Sequence, residues 1–313
     1  MTDYATLIDP ETWAFIRRTE SFYPPDAVTL STAEQRSIYD RMCRAFDAGH
    51  PAGASTATTA IPGQAGAIPI RTYRRVDENP AAAVLYFHGG GFVVGGLDSH
   101  DSVCAELCAR TGFTVASVDY RLAPEHPHPA AFDDAMSAFA WAAAHFARSI
   151  LVVGDSAGGN LAAAVSHAAR SSPVQPAGQV LIYPGLGGAM DHGSYLSHAG
   201  APMLTLRDIE YYRDTRAGGR DLDGDSTFAP LADTDFSGLP PTVIVTAQCD
   251  PLSSDGETYP DQILAAGSKA VWIEEPGLVH GYLRARHGVR RARDSFTRIV
   301  EAIGALGHGG RPF

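Results

Sequence analysis

The chain has 313 residues, a formal net charge of −11 and 45% hydrophobic residues. That length allows one large α/β domain or two small ones, with apolar content enough for a sizeable core. The negative balance argues against nucleic acid or an anionic membrane as a partner. No run is apolar and long enough to span a bilayer, and the first ten residues lack a signal peptide's pattern, so a cytoplasmic location is expected.

Residues 9–49 are expected to be largely helical. Trp13 and Ile16 lie three apart and Ile8 and Phe15 seven apart, both helical spacings, and Pro24-Pro25 ends the stretch. Ser31-Thr32-Ala33-Glu34 ahead of Ile38, Met42 and Phe46 carries a stronger helix-start signal, and Gly49 and Pro51 close that segment. Two helices with no strand between them point to an N-terminal helical cap over 1–50, set on an α/β body over 51–313. Residues 51–66, rich in Ala, Gly, Thr, Ser and Pro, read as a linker or loop. The alternation over 68–74 predicts a half-exposed strand, and the apolar run over 83–87 a buried one.

That run empties into His88-Gly89-Gly90-Gly91-Phe92. Consecutive glycines let backbone amides approach a ligand closely, as an oxyanion hole requires. His88, beside the glycines, reads as a brace for the loop rather than a general base. A helix over 99–110 carries Cys104 and Cys108 one turn apart. With Cys43 and Cys249 these read as small core residues, too few for a disulfide scaffold and without the partners of a zinc site. After a strand over 113–118, Asp119, Arg121 and Glu125 are expected to neutralise one another in an ordered loop. His126 and His128 lack a third ligand nearby, so no metal is expected there. A helix over 130–148 follows.

An apolar, β-branched run over 149–153 then stops at Gly154-Asp155-Ser156-Ala157-Gly158-Gly159, and an alanine-rich helix begins. This is Gly-x-Ser-x-Gly in a strand–turn–helix setting. A strand that reverses into a helix this sharply strains the serine backbone, and flanking glycines let strand and helix pass closely. The helix start aims free N–H groups at any anion formed there. No lysine follows the turn, which excludes a phosphate loop of the Gly-x-x-x-x-Gly-Lys type. A buried strand over 179–183 leads into 185–230, rich in Gly and Asp with one helical piece at 205–213, expected to be an insertion contributing to the cap. Asp221-Leu222-Asp223-Gly224-Asp225 has its glycine in the wrong place for a calcium loop. Strands over 241–247 and 270–274 flank a helix over 255–266, and a last helix covers 290–306. Strands alternating with helices predict a mainly parallel sheet covered on both faces.

Ser156, Asp250 and His280 each fall just beyond the carboxyl end of a predicted strand, where open parallel sheets bind ligands. They occur in the chain order serine, acid, histidine. Histidine takes the serine proton near neutral pH, and a carboxylate fixes its tautomer, so this set suits nucleophilic catalysis. Asp255 is a weaker rival for the acid.

The segments His88-Gly89-Gly90-Gly91-Phe92, Asp119-Tyr120-Arg121-Leu122-Ala123-Pro124-Glu125, Gly154-Asp155-Ser156-Ala157-Gly158-Gly159, Asp250-Pro251-Leu252 and His280-Gly281 together resemble the bacterial hormone-sensitive-lipase-like family of α/β-hydrolases. The resemblance implies an α/β-hydrolase fold with a helical cap, and carboxylesterase activity on short- to medium-chain acyl esters. It further implies no metal or organic cofactor, and oxyanion donors at the amides of Gly90, Gly91 and Ala157. Ser253-Ser254-Asp255 departs from the charged residues that usually follow the acid in that family. Phe15, Phe22 and Tyr23, with Leu204 and Leu206, are candidates for the acyl or alcohol side of the pocket. The expected partner is a small ester, and the expected assembly a monomer or homodimer. Asp155 is assigned no chemical step.

Overall fold

The computed structural model describes residues 2–24, 29–146 and 148–310, so Pro25 lies outside the described residues. Its strands are β1 (Ala54–Gly63), β2 (Gly66–Arg75), β3 (Ala82–Phe87), β4 (Thr114–Val118), β5 (Ser149–Asp155), β6 (Gly178–Ile182), β7 (Thr242–Cys249) and β8 (Ala270–Val279). They form one sheet in the order β1-β2-β4-β3-β5-β6-β7-β8. The pairs β1–β2 and β2–β4 are antiparallel, and every later pair is parallel. The helices are α1 (Tyr4–Leu7), α2 (Pro10–Glu20), α3 (Thr32–Ala45), α4 (Asp101–Thr111), α5 (Ala130–Phe146), α6 (Ala157–Ala169), α7 (Ser194–Ser197), α8 (Leu206–Ala217), α9 (Ser253–Ala265) and α10 (Arg290–Gly307).

The two-residue period of a strand sorts the core into two layers. Val84, Tyr86, Val115, Leu151, Val153 and Val243 face α4 and α10, where they meet Leu107, Cys108, Phe296 and Ile303. Ala83, Leu85, Phe87, Ile150, Val152 and Ile244 face the other way, toward Phe139 of α5, Leu161 of α6 and Ile263 of α9. Both faces are therefore apolar, which is why the central strands read as unbroken hydrophobic runs. The four cysteines are free and buried. Among the described residues, no helix is long and apolar enough to cross a membrane.

Three expectations are corrected. Most of 51–66 is not a linker: β1 pairs with β2 through to Gly63 and Gly66. Only Ile61 of β1 is buried, so this edge strand needs no apolar pattern and its Thr- and Ala-rich composition hid it. Strand β8 runs five residues further than 274, with a bulge between Ala247 and Cys249 of β7, and it delivers the chain directly to His280. Asp119, Arg121 and Glu125 do not neutralise one another. Arg121 pairs with Asp134 at 2.8 Å and Glu125 with Arg36 at 2.7 Å, because an extended loop turns neighbouring side chains toward different elements. The helix start at Ser31 is as expected, with a capping box to Glu34.

Helix α6 leaves the sheet under tight constraint. A Cβ at Gly158 would fall deep inside the contact distance of the Phe87 carbonyl oxygen at the end of β3. Because that neighbour is backbone, it cannot swing aside. Gly158→Ala should lower unfolding free energy by about 1–3 kcal/mol or more through overpacking, read from the denaturant midpoint.

Candidate active site

Strand β5 ends at Asp155, and Ser156 turns the chain into α6 with φ 54° and ψ −118°. That conformation is strained for a residue with a Cβ, and a hydrogen bond from the Ser156 amide to Ile182 O at 2.8 Å helps hold it. Ser156 Oγ lies 2.8 Å from His280 Nε2, and His280 Nδ1 lies 2.7 Å from Asp250 Oδ2. An ionised carboxylate only accepts, so Nδ1 carries the proton and Nε2 is left to accept from the serine hydroxyl. Asp250 is 1% exposed, and its other oxygen accepts the Leu252 amide at 2.9 Å. Three side chains separated by 30 to 124 positions thus meet at one edge of the sheet. The parallel strands β5, β7 and β8 all end on that edge.

Across from the serine stands the glycine loop. Gly90, Gly91 and Phe92 all have positive φ, at 132°, 59° and 64°. Among the described residues, the amides of Gly90, Gly91 and Ala157 find no acceptor in the chain. The Tyr212 ring of α8 presses on Gly91 where a Cβ would sit, so this glycine is required for space as well as conformation.

Asp155, to which sequence alone assigned no step, anchors this arrangement. It is 2% exposed. Oδ1 accepts from the Tyr86 hydroxyl at 2.8 Å and from the Gly89 amide at 3.0 Å, while Oδ2 lies 3.2 Å from His100 Nε2 and 3.4 Å from the Tyr183 hydroxyl. Burial alone would push this carboxyl up, but His100, Arg284 and the Tyr86 hydroxyl outweigh it and hold it well below the usual carboxylate range. One ionised group therefore ties the serine turn to the start of the glycine loop. His88 braces the same loop: Nδ1 bonds Gly89 O at 2.8 Å, and the ring stacks on Tyr120 at 4.4 Å. The rival acid Asp255 lies elsewhere, accepting the Leu186 amide at 2.6 Å and the Tyr195 hydroxyl at 3.0 Å, with burial pushing its carboxyl up to about 6.

Ser156, His280, Gly90, Gly91 and Ala157 all line one cavity of about 1150 Å³. Tyr23 and Leu204 line it too, whereas Phe15, Phe22 and Leu206 do not. Phe15 is buried edge-on against Phe46 at 5.2 Å, Phe22 packs beside Tyr39, Met42 and Val93, and Leu206 packs beside Tyr195, Leu204 and Leu252. Their apolar character was legible, but not the direction in which each side chain points. The wall includes Ile38, Tyr39 and Met42 of α3, Ile209 and Tyr212 of α8, and Arg284, none of which sequence reasoning placed there. The 3–4 spacing of Ile38 and Met42 was the available signal, and it signals burial without naming the partner. His128 bonds Asp225 and Thr227 at 3.2 and 3.1 Å. Among the described residues, no group of three or more His, Cys, Asp or Glu side chains is arranged to hold a metal ion.

The profile of an α/β-hydrolase fold family matches residues 84–284, the stretch that carries the serine turn, the glycine loop, the acid and the histidine. The chain belongs to that family, in its hormone-sensitive-lipase-like branch. It is 39% identical to esterase LipI of Mycobacterium tuberculosis over 261 residues, covering 80% of this chain and 82% of the relative. It is 34% identical to an ethyl acetate hydrolase of Pseudomonas putida over 247 residues, covering 75% and 78%. Among solved structures, the hyperthermophilic esterase of Pyrobaculum calidifontis superposes with a TM-score of 0.89 at 31% identity, over 96% of this chain and 99% of the other.

The hydrolase site has a built-in acid sensitivity. Burial, and then the neighbouring His100, pulls His88 down from 6.5 to about 4. Between those values the unfolded chain binds a proton that the folded chain refuses, so stability from this group is present above about pH 6.5 and lost toward pH 4. The full effect is about 3 kcal/mol. His128, brought to about 4 by burial and then Arg216, acts in the same direction. Denaturant midpoints should fall between pH 7 and 4.5, and His88→Asn should make that fall shallower.

Proposed function

We propose that this chain is a serine carboxylesterase that hydrolyses short- to medium-chain acyl esters through an acyl-enzyme intermediate. The observation that carries the reading is the continuous hydrogen-bonded line from Ser156 Oγ through His280 to Asp250, at 2.8 and 2.7 Å. A serine hydroxyl is a weak nucleophile until a base within hydrogen-bond reach takes its proton. In this reading His280 Nε2 is that base, and Oγ attacks the ester carbonyl. Asp250 keeps the proton on Nδ1 and stabilises the imidazolium that forms. Negative charge developing on the carbonyl oxygen is received by the amides of Gly90, Gly91 and Ala157, which have no other acceptor among the described residues. The tetrahedral intermediate collapses as His280 gives its proton to the departing alcohol. Water, activated by the same imidazole, then attacks the acyl-enzyme and releases the acid.

The names of the relatives support ester hydrolysis, and the ethyl acetate hydrolase supports a preference for small esters. Residues 1–50 and 185–230 are read as the cap: Tyr23, Ile38 and Tyr39 from the first segment, with Leu204 and Tyr212 from the second, line the cavity opposite the sheet edge. Four free, buried thiols support a reducing compartment, the cytoplasm.

Purified protein should hydrolyse 4-nitrophenyl butyrate far faster than 4-nitrophenyl palmitate. Ser156→Ala should lower kcat by about 10⁴ or more, and Asp250→Asn by about 10⁴. Near-normal turnover by folded Ser156→Ala would remove the serine from the mechanism.

A further inference from the structure

Most charged groups in the cavity wall are already answered. The Asp155 oxygens are engaged as described, and Asp208 caps α8 through Thr205. Arg213 pairs with Asp223 at 2.9 Å. Arg216 is likewise outside ion-pair distance of any carboxylate among the described residues and its buried Nε has no partner there, but it is wedged between the rings of Phe92 and Phe228 and both terminal nitrogens donate to the carbonyls of Phe228 and Thr227. Glu20 is exposed to solvent.

Arg284 differs. It sits in the 3₁₀ turn Tyr282–Ala285, immediately after His280-Gly281, and lines the cavity with Ser156 and His280. The side chain is half-buried. Nη2 donates to the Tyr39 hydroxyl, and the guanidinium stands 4.9 Å over the Tyr39 ring. Among the described residues, Nε is buried without a partner and Nη1 makes no hydrogen bond. Nη1 lies where a Cβ on Gly281 would stand 3.4 Å from it. Among the described residues no carboxylate reaches ion-pair distance of this group. Asp155 acts on this cation through space, and the tyrosine face adds to that, but neither takes up the remaining terminal nitrogen. The planar guanidinium, with one terminal nitrogen free, suits a carboxylate acceptor. The chain's charge of −11 repels anions at long range, so a preference for them has to come from a local contact of this kind.

We propose that Arg284 binds a carboxylate on the substrate, so that the preferred esters carry an acid group on the part of the molecule that does not react. This rests on the reading of Ser156 as the nucleophile of an esterase. Arg284 is then a specificity residue placed beside the catalytic histidine.

Two matched pairs of esters test it, one for each side of the scissile bond: mono-4-nitrophenyl adipate against 4-nitrophenyl hexanoate, and 4-acetoxybutanoate against pentyl acetate. In at least one pair the wild type should turn over the acid ester with the higher kcat/KM. Arg284→Met should lower that acid-to-neutral ratio roughly ten- to a hundredfold, chiefly through KM, and Arg284→Lys should keep part of it. Tyr39→Phe, which removes the hydroxyl but leaves the cation, should move the ratio by less than about threefold; a purely structural Arg284–Tyr39 clamp would not separate the variants in this way. A wild-type preference for the neutral ester in both pairs overturns the proposal without any variant. A ratio that Arg284→Met leaves within about threefold in both pairs also overturns it. Failure to hydrolyse any of the four esters overturns the esterase reading and this proposal with it, whereas turnover with an unmoved ratio overturns this proposal alone.

Discussion

A carboxylate removed from water has to be surrounded by donors, and satisfying Asp155 organises the whole site. Its donors come from the end of β3, from the loop ahead of α4 and from the end of β6, 28 to 69 positions away in sequence. Because Gly89 is one of them, the glycine loop is fixed relative to the serine turn by the residue directly before the serine. The loop cannot drift without leaving a buried charge unpaired, which costs more than any contact it would gain. Glycine at position 89 is part of the same constraint, since a Cβ there would run into the carboxylate.

Strain gathers on the same few residues. Ser156 and Phe92 both hold positive φ despite carrying side chains, and each is overdetermined by its surroundings. The Ser156 amide is tied to β6, while the Phe92 carbonyl accepts from Ala123 at 2.8 Å and its ring lies against Arg216. Helix α6 is pressed so close to β3 that only glycine fits at 158. The sheet supplies the rigidity, and the turns at its edge hold the conformations that unsupported chain would leave.

Much of the sheet was legible because both of its faces are buried: runs such as 83–87 and 149–153 are apolar at every position, whatever their neighbours. Edge strand β1 was not legible, since a strand with one buried residue leaves no periodic trace. The far half of β8 escaped for a related reason, with Pro276 and Gly277 reading as a loop although the backbone continues beside β7. Among the site residues, Ser156, Asp250 and His280 stood out because each follows a strand end, a position visible in one dimension. The cavity wall did not, because Phe15, Phe22 and Leu206 are as apolar as Tyr23 and Leu204 and differ only in the direction they face.

By itself, then, the sequence determined which residues carry reactive groups, their chain order and the alternation of strand and helix, because those depend on side-chain chemistry and local periodicity. Only the tertiary structure decided which partner each charged group found. Arg121 went to Asp134, Glu125 to Arg36, and Asp155 to four donors on three segments, while among the described residues no carboxylate came within ion-pair distance of Arg284, beside the histidine. Pairing of this kind depends on distances between elements far apart in the chain, and no spacing along the sequence encodes it.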